Sequence, residues 1–262
     1  MKTVILSLFL ALSMLTHASY ILIPMDADSQ RNHLKAYGIA YWTLNSQENI
    51  KWLLNYRGGS FLLPYSDAIE KECRIRGVSY ELISEAEAST VLKEISSPNK
   101  NMDAVILEKA PKIAFYSPSG KQPWDDAVTM VLTYAEIPYE TIYDNEVLSD
   151  ALLLYDWLHL HHEDFTGQYG KFYSAYRNAA WYIEQQQRAE ALATSLGYNK
   201  VSEQKLAVAQ KIREYVLGGG FMFAMCSATD SFDIALAAQS LDICEAMFDG
   251  DGSTPNYQSQ LD

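Results

Sequence analysis

The sequence predicts an α/β protein of two layered units, built on a mostly parallel sheet that is flanked by helices. Short apolar runs alternate along the chain with stretches of helical spacing, a pattern that is typical of alternating strands and helices. The run Phe221 to Met225 is wholly apolar, which is typical of a strand buried on both faces. With 262 residues, 48% of them hydrophobic, the chain is long enough for two modest domains or one large one.

Residues 1–19 resemble a secretory signal. Lys2 precedes an apolar run from Val4 to Leu15, and the small residues Ala18 and Ser19 follow. The run is about a dozen residues long, whereas a membrane span needs roughly 20. We therefore expect an exported protein, periplasmic or extracellular, with no membrane span; a buried first strand is the alternative interpretation of this segment.

The first unit, residues 20–110, is predicted to be the smaller α/β unit, with the order β-α-β-β-α-β-α. Ser66 is a candidate cap for one helix and Gly77 closes it. Residues 96–101 are the best linker candidate, although Met102 to Glu108 has the pattern of an edge strand. The other predicted elements are strands at Tyr20 to Pro24, Ile50 to Tyr56 and Val78 to Ile83, and helices at Gln30 to Asn45, Ser66 to Arg76 and Glu85 to Ile95.

The second unit, residues 111–262, repeats the alternation more regularly. Ser202 is the predicted cap of its longest helix, which ends at the glycines 218–220. The predicted strands are Lys112 to Tyr116, Ile137 to Tyr143, Trp157 to Leu160 and Phe221 to Met225, and the predicted helices are Trp124 to Ala135, Asn178 to Ser195, Ser202 to Leu217 and a last one from near Asp230 to Ala238.

Cys226 lies on the tight turn predicted between the last strand and the last helix. In open α/β sheets, ligands bind at the carboxyl ends of the strands, which is where this turn lies. The helix dipole and backbone N–H groups there favour a thiolate and can hold an oxyanion. The small residues Ala224 and Ala228 suit a nucleophile elbow. Cys226 is the candidate nucleophile, and the candidate oxyanion or ligand-binding residues are Ser227, Ala228, Thr229 and Asp230; a buried structural cysteine is the alternative.

A cysteine nucleophile needs a base, and the chain after Cys226 contains no histidine. The candidates are His159, His161 and His162, at the end of the preceding strand. His161 or His162 is the favoured base, with Glu163 or Asp164 as the orienting carboxylate. Strand alternation puts His159 and His161 on one face and His162 on the other. Two alternatives stay open for this cluster: a metal site that uses His159 and His161, or a purely structural role.

Charge and cysteine content exclude some classes of protein. A net charge of -13 argues against a nucleic-acid binder, because phosphate backbones are bound by clustered lysine and arginine. Three cysteines are too few for a disulfide framework. We expect Cys73 and Cys244 to be buried small apolar residues.

Three segments resemble successive strands of the flavodoxin-like, class I glutamine-amidotransferase-like fold, over about residues 111–245. They are Lys112 to Tyr116, Tyr155 to Leu160 and Gly218 to Cys226. The resemblance implies that Cys226 attacks an amide or related carbon. Two features depart from that family: Ser227 follows the nucleophile where glycine is usual, and the downstream His-x-Glu of glutaminases is absent.

The chain also resembles, from end to end, exported bacterial proteins commonly labelled asparagine synthetase B. The match rests on Tyr37 to Trp42, Asn55 to Ser60, His159 to Gly167 and Ala224 to Asp233. This resemblance implies glutamine hydrolysis coupled to ATP. Ser227 to Ser231 is similar to the ATP-pyrophosphate loop of such enzymes but has none of its glycines, which let backbone N–H groups approach the phosphates.

Three functions therefore stay open. The first is cysteine-dependent hydrolysis of an amide or related bond at Cys226, which requires no cofactor. The second is non-catalytic binding of a small-molecule or amide-containing ligand, or of a partner, on the same fold. The third is an ATP-dependent, glutamine-hydrolysing activity like that of asparagine synthetase B. Because the sequence stops at Asp262 without a closing element, a further C-terminal segment with another histidine is an additional hypothesis.

Overall fold

A computed structural model describes residues 18–118 and 126–262. Most of the predicted signal, part of the loop before the fourth helix and the predicted start of that helix at Trp124 lie outside these residues. The chain divides into two compact units, one formed by residues up to 110 together with 134–137, the other by residues 111–133 together with 138–262. In the described part of the chain, no helix is both long enough and apolar enough to span a membrane.

The first unit is an antiparallel sheet with helices on both faces. Its sheet has the order β4-β1-β3-β2-β5, and every adjacent pair is antiparallel. One face carries Ile21 and Phe61 against α1 and α2, and the other carries Leu22 and Leu53 against α3. The elements are β1 (Tyr20–Ile23), α1 (His33–Asn45), β2 (Ile50–Leu54), β3 (Ser60–Pro64), α2 (Asp67–Arg76), β4 (Glu81–Ile83), α3 (Glu85–Ile95) and β5 (Asp103–Leu107).

Local signals in this unit act as the sequence predicted. The Ser66 side chain accepts a hydrogen bond from the Ile69 N–H, and Gly77 ends α2 with φ 68°. The edge strand suspected within Met102 to Glu108 is present as β5. The expectation of a mostly parallel sheet is wrong for this unit, because the short connection between β2 and β3 allows only an antiparallel pair.

The second unit is a parallel sheet flanked by helices, which confirms the predicted α/β class for this part of the chain. The strand order is β7-β6-β8-β9, with all pairs parallel. The elements are β6 (Ile113–Tyr116), α4 (Asp126–Ala135), β7 (Glu140–Ile142), α5 (Asp144–Leu148), a 3-10 turn (Ala151–Leu154), β8 (Trp157–Leu160), α6 (Gly170–Tyr176), α7 (Ala180–Ser195), α8 (Val201–Leu217), β9 (Phe221–Ala224), α9 (Ser227–Ala237), α10 (Ala246–Asp249) and a 3-10 turn (Tyr257–Ser259).

The core of the second unit lies between the sheet and the long helices. Leu158 and Leu160 of β8 pack with Val208 and Ile212 of α8, and Ala228 of α9 joins the same cluster. Tyr116, Leu160 and Ala224 are paired in register, so β6, β8 and β9 end at one level. Their carboxyl ends therefore form one edge, from which the loops toward the site emerge.

Three details of the second unit correct the sequence analysis. The strand β9 is not buried on both faces, since Phe221 is 58% and Phe223 47% exposed; it lies at the edge of the sheet. The helix α9 begins at Ser227 rather than near Asp230. Ser202 does not cap α8, because the helix already begins at Val201.

Candidate functional site

The carboxyl ends of β8 and β9 hold two predicted segments side by side. The Met225 N–H donates to the Leu160 carbonyl at 3.0 Å, which extends the pairing of the strands. The Ser227 hydroxyl donates to the His162 carbonyl at 2.9 Å, and the Ser231 hydroxyl donates to the Glu163 carbonyl at 2.8 Å. The first turn of α9 is thus tied to the segment that follows β8.

Cys226 has an unusual backbone conformation. Its φ of 55° and ψ of -139° lie in a region that residues other than glycine rarely occupy. The residue is the N-cap of α9, is exposed, and makes no side-chain capping bond. Together these features give a sharp strand-to-helix turn that presents a thiol to solvent.

The four residues predicted to hold an oxyanion or a ligand have different surroundings. The Ala228 side chain is completely buried in the core, where a larger side chain would displace α9. The Thr229 hydroxyl donates to the Cys226 carbonyl at 2.7 Å, so it stabilises the turn itself. Ser227 and Asp230 line the cavity described below.

The three histidines in and directly after β8 differ in environment. His159 is buried and stacked between Phe115 and Phe223, with ring centroids 5.4 and 5.7 Å away. Burial, and secondarily the charge of His161, lowers the pKa of His159 to about 4, so the ring is neutral at pH 7. In the described structure neither of its ring nitrogens has a hydrogen-bond partner. These surroundings favour a packing role for His159.

His161 and His162 lie closer to the Cys226 turn. Their rings stack at a centroid distance of 3.7 Å, and His161 makes an edge contact of 5.9 Å with His159. His161 is buried, whereas His162 lines the cavity. Of the two predicted bases, His162 is therefore the one that a ligand in the cavity can reach.

A large cavity opens at the same edge of the sheet. Its volume is about 1320 Å³, and Ser117, Glu163 and Ser227 lie on its wall after β6, β8 and β9. Helices α6, α7 and α8 supply much of the remaining wall, and β7, α5, α9 and the segment after α9 contribute to it as well. Cys226 is not among the described residues that line it, although the next residue is.

A buried lysine lies at the base of this cavity, and the sequence analysis did not identify it. Lys205 on α8 is 5% exposed. Its Nζ lies 3.0 Å from Asp144 Oδ2 and 3.6 Å from Glu163 Oε2, and it donates to the hydroxyls of Tyr143 at 3.0 Å and Tyr116 at 3.2 Å. The Tyr116 hydroxyl donates in turn to Asp144. We call these five residues the Lys205 network.

The electrostatics of the Lys205 network keep the lysine charged. Burial alone would lower the pKa of Lys205, but Asp144 and the other oxygens around it raise that pKa well above its usual value. Burial raises the pKa of Tyr116 and of Tyr143, so both remain neutral. Glu163, predicted to orient a histidine base, instead has its carboxylate close to Lys205 and Tyr143.

One sequence signal could have revealed Lys205. The buried positions of α8 recur at helical spacing, and Val201, Lys205, Val208 and Ile212 all lie on that face. A lysine on the apolar face of a helix indicates a buried partner of opposite charge. The identity of that partner is not visible in the sequence, because Asp144 lies far away along the chain.

A second group of side chains, three carboxylates of the kind that bind metal ions, surrounds the ammonium group of a lysine. Within the described residues, Asp242, Asp249 and Asp251 place carboxylate oxygens close together. The Lys200 ammonium lies 3.0, 3.4 and 2.5 Å from these three carboxylates in turn. The cluster is therefore an ion-pair network that links the start of α8 to the segment around α10.

Comparison of the chain with family models, with curated proteins and with solved structures found no match. The two family resemblances drawn from the sequence stay predictions.

Proposed function

We propose that this protein is an exported hydrolase that cleaves an amide or related acyl bond with Cys226 as its nucleophile. The observation that carries the proposal is the backbone of Cys226, whose φ of 55° places an exposed thiol on a strand-to-helix turn. Sparsely populated conformations of this kind cluster at functional sites, and a nucleophile elbow requires one. The signal predicted at residues 1–19 supports export.

The strand order supports a flavodoxin-like, class I glutamine-amidotransferase-like fold for the second unit. Numbered within that unit, the strands run 2-1-3-4, as in the first four strands of flavodoxin-like sheets. The order reverses between β6 and β8, and the cavity lies at their carboxyl ends. This is where such sheets bind ligands.

The chemistry follows from the placement of Cys226 at the start of α9. His162 takes the proton of the Cys226 thiol. The thiolate attacks the substrate carbonyl carbon, so that an S–C bond forms and the carbonyl π electrons move to the oxygen. Backbone N–H groups at Ser227 and Ala228 hold this oxyanion. When the oxyanion collapses, the C–N bond breaks and the amine leaves with a proton from His162. Water, deprotonated by His162, then attacks the thioester, and Cys226 is released as thiolate with the free acid.

His162 is preferred over His161 as the base because His161 is buried and because the carbonyl of His162 is bound by Ser227, the residue after Cys226. The proposal does not require Glu163 to orient the imidazole, since Lys205 and Tyr143 already engage that carboxylate. Glu163 is then part of a fixed cavity wall.

Alkylation by iodoacetamide at pH 7, followed by peptide mass spectrometry, tests the proposal. We expect native Cys226 to react faster than the same cysteine in the urea-unfolded chain, and His162→Ala to remove this advantage. Cys73 and Cys244 serve as internal controls, because burial raises the pKa of each to about 12 and both are enclosed in the fold. The matched histidine control is His33→Ala, in the first unit.

The same protein is then assayed for amine release from a panel of amides and for its loss in Cys226→Ser. A native Cys226 that reacts no faster than the unfolded chain would contradict the proposal. Release of amine that persists in Cys226→Ser would do so as well. Either result would favour the non-catalytic binding function.

A further inference from the structure

We propose that the cavity of the second unit binds an organic cation, a small molecule that carries an amine or guanidinium group on an apolar body. The inference goes beyond the proposed hydrolysis, because the binding does not require Cys226. It rests on the charge of the cavity wall, on where the positive charges of that wall are already used, and on the aromatic surface beside them.

The charge of the wall is strongly unbalanced. Its described residues include two cationic side chains, Arg188 and Lys205. The carboxylates exceed them by three and are Glu146, Glu163, Asp164, Glu184 and Asp230. In a partly enclosed cavity such an excess attracts a cation more strongly than it would on an open surface.

The two cations of the wall are both held in ion pairs. Arg188 lies 2.5 Å from Glu184, one turn away on α7. Lys205 lies 3.0 Å from Asp144, which is itself buried beneath the cavity. The buried Lys205 is therefore fixed by its partner, whereas Arg188 and Glu184, whose side chains are 66% and 62% exposed, form a surface pair that adds no net charge to the wall.

Two other carboxylates of the wall, Asp164 and Asp230, lie on segments that meet at the start of α9. The Ser231 hydroxyl binds the Glu163 carbonyl, which ties the turn that carries Asp230 to the segment that carries Glu163 and Asp164. Asp164 accepts bonds from the N–H and the hydroxyl of Thr166 at 2.8 and 2.5 Å. These two hydrogen bonds fix the position of the Asp164 carboxylate.

Aromatic side chains contribute to the apolar part of the same wall. Tyr143, Tyr169, Phe172, Trp181 and Tyr257 all line the cavity. Ring faces attract cations and also pack against hydrocarbon, so carboxylates beside aromatic rings suit an amine on an apolar body. The Tyr169 hydroxyl is, within the described structure, a buried group in this wall without a hydrogen-bond partner.

Three probes that share one phenol ring test the inference by titration calorimetry: tyramine, 4-ethylphenol and 4-hydroxyphenylpropionate. They differ in carrying an ammonium, no charge or a carboxylate. We expect tyramine to bind at least about tenfold more tightly than the carboxylate probe at low salt, and more tightly than the neutral one. The difference in affinity between tyramine and the other two probes should decrease as added salt screens the charges of the cavity wall.

Matched variants locate the binding. Asp230→Asn should weaken tyramine binding several-fold, whereas Asp233→Asn, on the same helix but not among the described lining residues, should leave it unchanged. Cys226→Ser should also leave tyramine binding unchanged, which separates this inference from the proposed hydrolysis. Equal binding of all three probes, no binding of tyramine at millimolar concentration, or equal effects of the two aspartate variants would overturn it.

Discussion

The backbone conformation of Cys226 destabilises the folded state. An L-residue at φ 55° and ψ -139° is strained by about 1–3 kcal/mol, whereas glycine populates positive φ readily. The surrounding bonds hold the conformation: Met225 is paired to β8, and Thr229 binds the Cys226 carbonyl through its N–H and its hydroxyl. A residue kept in such a conformation by its neighbours is what makes this turn a candidate site rather than an ordinary loop.

The strain can be measured directly. We expect Cys226→Gly to be more stable to urea than Cys226→Ala by about 1 kcal/mol, since only glycine relieves the backbone. At the neighbouring Met225, whose φ is not positive, the same comparison should favour alanine. Cys226→Ala as stable as Cys226→Gly would show that the turn is unstrained.

His159 is a second residue whose state is imposed by its surroundings. Its ring is 3% exposed between two phenylalanines, and burial lowers its pKa to about 4, against 6.5 when solvated. The unfolded chain therefore binds a proton between these two pH values that the folded chain does not. The contribution of this residue to stability is complete above pH 6.5 and falls as the pH drops toward 4.

We expect the free energy of unfolding to decrease between pH 7 and pH 4.5, with His159 accounting for up to about 3 kcal/mol by pH 4. His159→Phe should flatten this dependence, because phenylalanine fits a stack of rings and takes up no proton. Urea unfolding of both proteins at a series of pH values measures this pH dependence. An unchanged slope in His159→Phe would mean that the loss comes from other groups.

At the scale of the elements, α8 connects the core to the candidate site. Its apolar face packs on β6 and β8, and Lys205 on that face joins Tyr116 at the end of β6, Asp144 after β7 and Glu163 after β8. The network thus ties the carboxyl ends of three parallel strands to one helix. The depth of the lysine makes this connection sensitive to the loss of either charge, since an uncompensated buried charge is costly.

We expect Lys205→Met to lower the free energy of unfolding by about 3–5 kcal/mol, because Asp144 is left charged and buried. The double variant Lys205→Met with Asp144→Leu should recover much of the loss. Lys211→Met is the matched control: this lysine of the same helix pairs with Asp150 at 2.8 Å at the surface, where a pair contributes about 1 kcal/mol or less. A similar loss in both single variants would contradict a special role for the network.

At the scale of the whole molecule, charge dominates the behaviour in solution. The net charge is -13 at pH 7 and the isoelectric point is near 4.8. Repulsion between like-charged molecules keeps such a protein apart at neutral pH, and this repulsion disappears near the isoelectric point. The pH range in which the net charge is smallest overlaps the pH range in which His159 lowers the stability of the fold.

We expect light scattering to rise as the pH approaches 4.8 and to fall again below it. The variant His159→Phe separates two possible causes of the scattering, the loss of charge repulsion and acid unfolding. Scattering that is the same in this variant comes from lost repulsion, whereas scattering that moves to lower pH comes from acid unfolding. A protein that stays dispersed through the isoelectric point would contradict the first cause.

The sequence by itself determined the elements whose signals are local. The apolar run Trp157 to Leu160 is a strand with those bounds, Ser66 and Gly77 bound α2, and the cysteine turn lies between a strand and a helix. Side-chain periodicity and caps act within a few residues, so they can be read from neighbouring positions. Short helices such as α5 and α6 carry too few residues for a visible period and were missed.

Only the tertiary structure decided which side chains meet. The edge position of β9 exposes Phe221, and the first sheet is antiparallel, because both depend on which strands pair rather than on any one strand. Lys205 and Asp144 come together through the order of the parallel strands and the packing of α8 on the sheet. Local sequence places the cysteine on its turn, and long-range pairing builds the charged cavity beside it.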